Sequence, residues 1–331
     1  VNQLKIIMQD RQFIETEYLT LYPDVAAAVK AGTFKSGYEH YEKHGKSEGR
    51  QPNGSSPREH AIFHLIDKQG FGLEIGPCHN PIAPKKNGYN VQILDHLSAN
   101  DLRIKYQGHG LNLDNIEEVD FIWSGQPLHE LIGKKHCYDW IIASHVIEHL
   151  PDLISFLQQS EQLLKPNGVL SLVVPDKRYC FDYFQPISTT GMLLDAHTQK
   201  RTHPTPGQVF DNFANNAKAN GAIAWSPDYK KLGGGAVADG LIHTVEKADE
   251  QWHKAITAGD YVDVHCWRFT PESFALILSD INRLGLAKLV IQASFPTSGC
   301  EFYVSLGLEK NKKNQFKLNR LNQLNHIKNN S

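Results

Sequence analysis

The stretch Tyr138-Asp139-Trp140-Ile141-Ile142-Ala143-Ser144-His145-Val146-Ile147-Glu148-His149-Leu150, with Leu163-Leu164-Lys165-Pro166-Asn167-Gly168-Val169-Leu170 after it, decides the fold. Its first half is a short apolar run that turns polar at Ser144 and His145. Between the halves, Leu153, Ile154, Phe156, Leu157, Leu163 and Leu164 fall at helical spacing. Residues 169–175 are a second apolar run. Strand, helix and strand in that order form the repeating unit of a parallel sheet.

Working outward, residues 72–76, 91–95 and 119–123 are similar runs upstream, and 289–293 and 302–306 follow downstream. The alternation predicts an α/β domain over 58–308 with a Rossmann-like sheet. Residues 182–262, rich in Gly, Pro, Asn, His and Asp, interrupt it as an insertion between the fifth strand and the last helix. Residues 1–57 read as a small all-helical module. Phe13, Tyr18, Leu19, Leu21 and Tyr22 lead to a Pro23-Asp24 turn, and an alanine-rich helix from Val25 to Lys30 stops at Gly32. A second short helix over 36–44 puts Tyr38 and Tyr41 on one face, and Asn53-Gly54-Ser55-Ser56-Pro57 reads as a linker. The tail, 309–331, has no acidic residue after Glu309 and repeats Leu318, Leu321, Leu324 and Ile327. It is either a solvated terminus or a basic amphipathic contact with an acidic membrane surface or a partner protein.

Composition narrows the function. Basic and acidic residues nearly balance, 34 against 36, so no nucleic-acid partner is expected. The five cysteines are scattered without a C-x-x-C pair, which argues against a disulfide framework or zinc ribbon and for a cytoplasmic setting. No run approaches the roughly 20 apolar residues of a bilayer span, and the first residues lack the basic–apolar–small order of a secretory leader.

Leu73-Glu74-Ile75-Gly76-Pro77 reads as a buried strand running into a glycine turn, and Ile93-Leu94-Asp95 ends the next strand on a carboxylate. Glycine admits a ligand close to the backbone and a strand-end Asp accepts both ribose hydroxyls, so the pair suits a nucleoside. Alone it equally suits a structural turn and a surface Asp. Taken in order, the glycine turn, the strand-end Asp, "YDWIIASHVIEHL" and "LLKPNGVL" resemble class I S-adenosylmethionine-dependent methyltransferases over roughly residues 73–175. That resemblance implies S-adenosylmethionine as cofactor and S-adenosylhomocysteine as product. It puts Glu74, Ile75, Gly76, Pro77 and Asn80 about the methionine end, Asp95 on the ribose, and His96 and Leu97 beside the adenine. Ser124, Gly125 and Gln126 would meet the adenine amino group, and Ser144 and His145 would face the sulfonium. The chain departs from the family's E-x-G-x-G-x-G loop: Cys78 and Asn80 stand where later glycines would be, and Pro77 and Pro81 stiffen the turn. The same missing glycines argue against a dinucleotide dehydrogenase.

A hydroxyl acceptor needs a proton-accepting group near the sulfonium. The order of preference is His145, then His265, with Asp176 orienting or replacing them. Two clusters, 175–182 and 263–274, supply Arg178, Tyr179, Asp182, Trp267 and Arg268 as acceptor-binding residues. The bland alternatives are a local Asp176–Arg178 salt bridge, a structural His265, and core packing of Tyr179 and Trp267. Thr270 and Pro271 are expected to cap and begin the last helix. His145-Val146-Ile147-Glu148-His149 also fits H-x-x-E-H, the motif of inverted zincin proteases. That reading needs a helix through the motif, whereas a β-type run precedes it and Pro151-Asp152 follows. No Asp or His spacing in the insertion is diagnostic of a metal site, so no metal is predicted, although magnesium-assisted chemistry stays open.

Residues 13–52 resemble a short helical module found beside glycosyltransferase and methyltransferase domains of bacterial surface-polysaccharide clusters. "VPDKRYCFDYF" (174–184) and "DVHCWRFTPESF" (263–274) are similar to methyltransferases of that setting. The resemblance implies O-methylation of a glycan or of a nucleotide- or lipid-linked sugar, in O-antigen or capsule biosynthesis, with the insertion as an acceptor lid. It also implies contact with a glycosyltransferase or with the inner face of the membrane. The rival readings are a methyltransferase for a small non-sugar metabolite, a zinc protease, and a non-catalytic scaffold that binds S-adenosylmethionine.

Overall fold

The computed structural model describes residues 13–48, 50, 56–228, 238–257, 261–308 and 320–330. The chain divides into two compact units, with the border between His64 and Leu65. That border lies past the expected linker, whose residues 53–55 fall outside the described residues.

The first unit holds α1 (Glu15–Leu21), α2 (Pro23–Lys30), α3 (Gly37–His40) and α4 (Pro57–Phe63), and α3 runs on through a wider turn to Gly45. Its centre is Tyr18, which is fully buried. The Tyr18 hydroxyl meets His40 Nδ1 at 3.0 Å, and the rings of Phe13, Tyr22 and Tyr41 surround it at 4.9–5.6 Å. Glu15 binds the start of α3, accepting from the Gly37 and Tyr38 amides at 2.6 and 3.0 Å. Tyr38 and Tyr41 do share a face: both rings reach Phe13, at 5.1 and 5.5 Å.

The second unit is built on a seven-stranded sheet in the order β3-β2-β1-β4-β5-β9-β8. Its strands are β1 (Gly72–Ile75), β2 (Val91–Asp95), β3 (Phe121–Ile122), β4 (Tyr138–Ser144), β5 (Leu164–Pro175), β8 (Leu289–Ser298) and β9 (Glu301–Leu308). The first five run parallel. Then β9 returns antiparallel between β5 and β8. All of β1 is buried, as is β4 apart from Asp139 and Ser144, as a parallel sheet covered on both faces requires. Leu164, counted above with the helical run, instead begins β5, five residues ahead of the expected start at 169: it pairs with Tyr138 before a register irregularity leads to Trp140↔Val169.

Four helices join the early strands and the closing hairpin: α5 (Ala99–Tyr106), α6 (Leu128–Ile132), α7 (Leu153–Leu163) and α11 (Pro271–Arg283). The start of α11 matches expectation. Thr270 Oγ1 accepts from the Ser273 amide at 3.3 Å, Ser273 Oγ accepts from the Thr270 amide at 2.8 Å, and Pro271 takes the first position. Reciprocal satisfaction of two orphan amides fixes where the chain turns into the helix.

The insertion contains α8 (Thr190–Thr198), α9 (Pro206–Asn215), the two-residue pair β6 (Ala217–Lys218) and β7 (Gly240–Leu241), and α10 (Val245–Thr257). α8 belongs to the body of the domain. Thr190 Oγ1 donates to Asp280 of α11 at 2.7 Å, and His197 Nδ1 meets Asp152, the cap of α7, at 3.0 Å. The chain after α8 is tied down as well: Gln208 Nε2 donates to Cys266 O at 2.9 Å, and the Ala217 and Trp225 amides donate to Phe181 O and Tyr179 O at 2.8 and 2.9 Å. The tail helix α12 (Arg320–Asn330) lies along α11, through an Arg320–Asp280 ion pair and His326 Nε2 at 3.5 Å from Glu272; Leu318 falls outside the described residues.

Candidate active site

Register brings three strand ends to one edge of the sheet. Ile75 pairs with Leu94 on one side and Ala143 on the other, so Gly76, Asp95 and Ser144 emerge side by side. Gly76 has φ +65°, and a Cβ there would stand 2.9 Å from Val146 Cγ2. Glycine is therefore required both for its backbone angle and for the close approach. The Glu74 carboxylate, 1% exposed, holds the loop that follows: its two oxygens accept from the Ile82 and Ala83 amides at 2.6 and 3.0 Å.

Asp95 is equally buried. Oδ2 accepts from the Cys78 amide at 3.0 Å, and Oδ1 from the His96 amide and ring Nδ1 at 2.8 and 2.6 Å. Cys78 thus ties the loop to the second strand through its backbone, at φ +48°, where the family pattern would have a glycine. Burial, with the Asp95 charge beside it, pushes the Cys78 thiol up to about 11, so it stays protonated and unreactive. His96 reaches Lys105 Nζ at 2.8 Å, and Leu97 packs with Ala99, Leu102 and Ile116. Asn80 is exposed. Gln126 turns back on its own loop, its Oε1 accepting from the Ser124 amide at 2.8 Å, while Gly125 sits at φ +98°. A residue that cannot carry a Cβ, next to a strand-end carboxylate and a half-exposed His96, fits an adenosyl cofactor.

Beyond Ser144 lies a cavity of about 210 Å³. His145, Glu148, His149 and His265 supply its polar wall, Pro175, Phe181, Ile223 and Ala224 its apolar wall, and Cys180 and Cys300 complete it. His145 has φ +53°, a conformation that side chains rarely adopt and that tends to mark functional sites. Its amide donates to Val173 O at 3.0 Å, and its Nε2 lies 2.6 Å from Glu301 Oε2. Glu301 in turn accepts from the Tyr303 hydroxyl at 3.0 Å. Residues 145–149 form a bend and a turn, not a helix. The paired-histidine face of an inverted zincin is therefore not formed, and the protease reading falls.

His265, 5% exposed, has Nδ1 2.5 Å from Asp182 Oδ2 and stands edge-on to His149, ring centres 4.7 Å apart. Burial works to raise the Asp182 carboxyl, but the charges of His265, Arg268 and Lys177 outweigh it and hold the group below the usual carboxylate range. His149 Nδ1 meets Asp263 Oδ1 at 2.8 Å. Burial opposes its charge, yet the Asp263 hydrogen bond and the nearby Glu148 and Asp182 carboxylates raise its pKa. Glu148 is fully buried. Its backbone carbonyl accepts from the Cys266 and Trp267 amides at 2.6 and 3.1 Å, locking the turn after β4 to the 263–269 segment.

Several expected acceptor residues lie elsewhere. Asp176 is fully buried, bound by Arg178 Nε and Nη2 at 2.9 and 2.6 Å and by Thr297 Oγ1 at 2.6 Å, so it braces a chain corner. Arg178 is committed to that pair. Tyr179 packs with Trp225. Trp267, 1% exposed, belongs to the main core and donates to Leu150 O at 2.6 Å. Asp182 and Arg268 are buried behind His265. Of the five residues expected to bind the acceptor, Asp182, Trp267 and Arg268 are buried and held by partners within the protein, while Arg178 and Tyr179 are half-buried. Reasoning from the chain missed Asp263 and Glu301, and weighed Glu148 only as a protease base. A lone carboxylate heading the apolar run of β9 was the available signal for Glu301.

A family model described as a methyltransferase domain matches residues 56–282. No curated protein matches. Similar solved structures include the trans-methyltransferase CalH in complex with SAH (15% identity, 76% of this chain, TM-score 0.36). This chain spans only 55% of the CalH chain. Others are the PH0226 protein from Pyrococcus horikoshii OT3 (12% identity, 75% of this chain and 86% of that one, TM-score 0.38) and the Burkholderia thailandensis 1,6-didemethyltoxoflavin-N1-methyltransferase with S-adenosylhomocysteine (12%, 91% and 92%, 0.37). With more than half of its residues matched by the family and a strand edge that fits the adenosyl cofactor, the chain belongs to the S-adenosylmethionine-dependent methyltransferases.

Proposed function

We propose that the protein transfers the methyl group of S-adenosylmethionine to a hydroxyl of a sugar or glycan acceptor. The cofactor supplies an electrophilic methyl on a sulfonium, and a hydroxyl must lose its proton as the new C–O bond forms. The observation that carries the reading is His145, which lines the cavity at the end of β4 with Nε2 held 2.6 Å from Glu301. With Nε2–H donating to the carboxylate, Nδ1 carries the lone pair and accepts the proton, and Glu301 stabilises the imidazolium that results. An acceptor already nucleophilic without deprotonation would need no such group. The residues of the first unit that resemble a surface-polysaccharide module, and 174–184 with 263–274, support a nucleotide- or lipid-linked sugar as the acceptor. Attachment to an acidic membrane surface or to a glycosyltransferase belongs to the same reading. No helix among the described residues is long and apolar enough to cross a membrane.

The small volume of the cavity and its Pro175, Phe181, Ile223 and Ala224 wall favour a second reading, a small non-sugar hydroxyl compound. Transfer of labelled methyl to a panel of sugar nucleotides, lipid-linked sugars and small hydroxy compounds separates the two. His145→Ala should bind S-adenosylhomocysteine like the parent and lose about 10²–10⁴ in turnover. Full turnover in that variant would remove His145 as the base.

A further inference from the structure

We propose that Glu148, His149 and His265 hold a divalent transition-metal cation in the wall of the cavity. One donor atom from each lies within 4.8 Å of the other two. An ion with bonds of about 2.0–2.2 Å spaces its ligands roughly 3–3.5 Å apart, so small side-chain rotations close the set.

The Glu148 carboxylate is the second observation. It is fully buried and neither oxygen has a hydrogen-bond partner. Among the described residues the side chains that face it as possible ion-pair partners are two imidazoles, His145 Nδ1 at 3.6 Å and His149 Nε2 at 4.0 Å, with no Lys or Arg within that distance. A buried carboxylate left in that state is strongly unfavourable, and a bound cation removes the penalty.

The two histidines are set up to meet such a cation. Each uses Nδ1 on a carboxylate, His149 on Asp263 at 2.8 Å and His265 on Asp182 at 2.5 Å. That leaves both Nε2 lone pairs for a ligand, and a carboxylate behind each imidazole is the usual outer shell of a metal-bound histidine. The backbone bonds from Cys266 and Trp267 to the Glu148 carbonyl hold the two chain segments together before any ion arrives. Two imidazoles and one carboxylate favour manganese, iron, cobalt or zinc over magnesium or calcium. Three protein ligands leave positions open toward the cavity. The cation's role in holding an acceptor oxygen and lowering its pKa rests on the hydroxyl reading above; its binding does not.

The test is titration of the chelator-stripped full chain with Co²⁺, followed by visible absorption and calorimetry, with Zn²⁺ as competitor. The expected result is one equivalent of Co²⁺ with a visible ligand-field band that Zn²⁺ displaces. Glu148→Gln and His265→Ala should weaken binding at least tenfold, with circular dichroism and S-adenosylhomocysteine affinity reporting on the fold. His149→Gln makes the same test on a more exposed side chain should Glu148→Gln not fold. His96→Ala should keep the stoichiometry, because Cys78, Asp95 and His96 are the other such cluster of donor atoms among the described residues. Failure of the parent to bind one equivalent while S-adenosylhomocysteine still binds overturns the site and leaves the methyltransferase reading standing. Unchanged binding in Glu148→Gln, or its loss in His96→Ala, overturns it as well.

Discussion

Replacing Glu74 by Gln tests the link between the first strand and the cofactor loop. The carboxylate is 1% exposed and serves two amides on separate oxygens, Ile82 at 2.6 Å and Ala83 at 3.0 Å. Glutamine keeps one accepting oxygen and turns an NH₂ toward the other amide. One hydrogen bond to a charged group is lost, worth about 1.5–3 kcal/mol, and a buried N–H is left unsatisfied at a cost of about 1–3 kcal/mol. Relaxation of the loop recovers part of this, so a loss near 3 kcal/mol is expected in urea unfolding. The same change should weaken S-adenosylhomocysteine by tenfold or more in calorimetry, since the loop must hold its shape to bind. Asp95→Asn offers a comparison, because it disturbs the same loop from the second strand through the Cys78 amide. If Glu74→Gln unfolds within about 0.5 kcal/mol of the parent, the range of an unremarkable surface change, and binds the product equally well, then the carboxylate does not organise the loop.

Gly76→Ala should cost about 1–2 kcal/mol for its left-handed backbone, plus the contact with Val146, and should weaken product binding. Adding Val146→Ala should recover the contact part alone, and full recovery would show that the backbone angle is harmless. Asp182→Asn strips a buried counter-charge from His265, Arg268 and Lys177 and should destabilise by about 3–5 kcal/mol, read by denaturant unfolding; a change under 1 kcal/mol would mean that the cluster is not ionised. His149 has a folded pKa above its unfolded value of about 6.5. In chelator its contribution to stability is therefore fully present below about pH 6.5 and disappears as pH rises through the folded pKa. Melting temperature against pH should fall over that window in the parent and flatten in His149→Gln.

Much of the architecture was legible in the chain because its causes are local. Apolar runs of four to seven residues alternating with helical spacing point to a covered, largely parallel sheet. The Thr270–Pro271–Ser273 start of α11 was readable because a cap involves neighbours three residues apart. Gly76 and Asp95 were readable as strand-end residues for a similar reason, since each closes a short apolar run.

The chemistry of the cavity was a different matter. Trp267, Arg268, Asp182 and His265 lie on the segments that follow β5 and precede α11, yet of these four only His265 reaches the cavity wall. Which side chain of a loop points inward depends on contacts far along the chain, such as Glu148 O with the Cys266 amide or His145 with Glu301, 156 residues away. The sequence by itself determined the sheet, its cofactor edge and the helix that closes it, because hydrophobic spacing and capping act over a few residues. Only the tertiary structure decided that Glu148, His149, His265 and Glu301 converge, because buried charge is placed by the packing of segments that no local pattern connects.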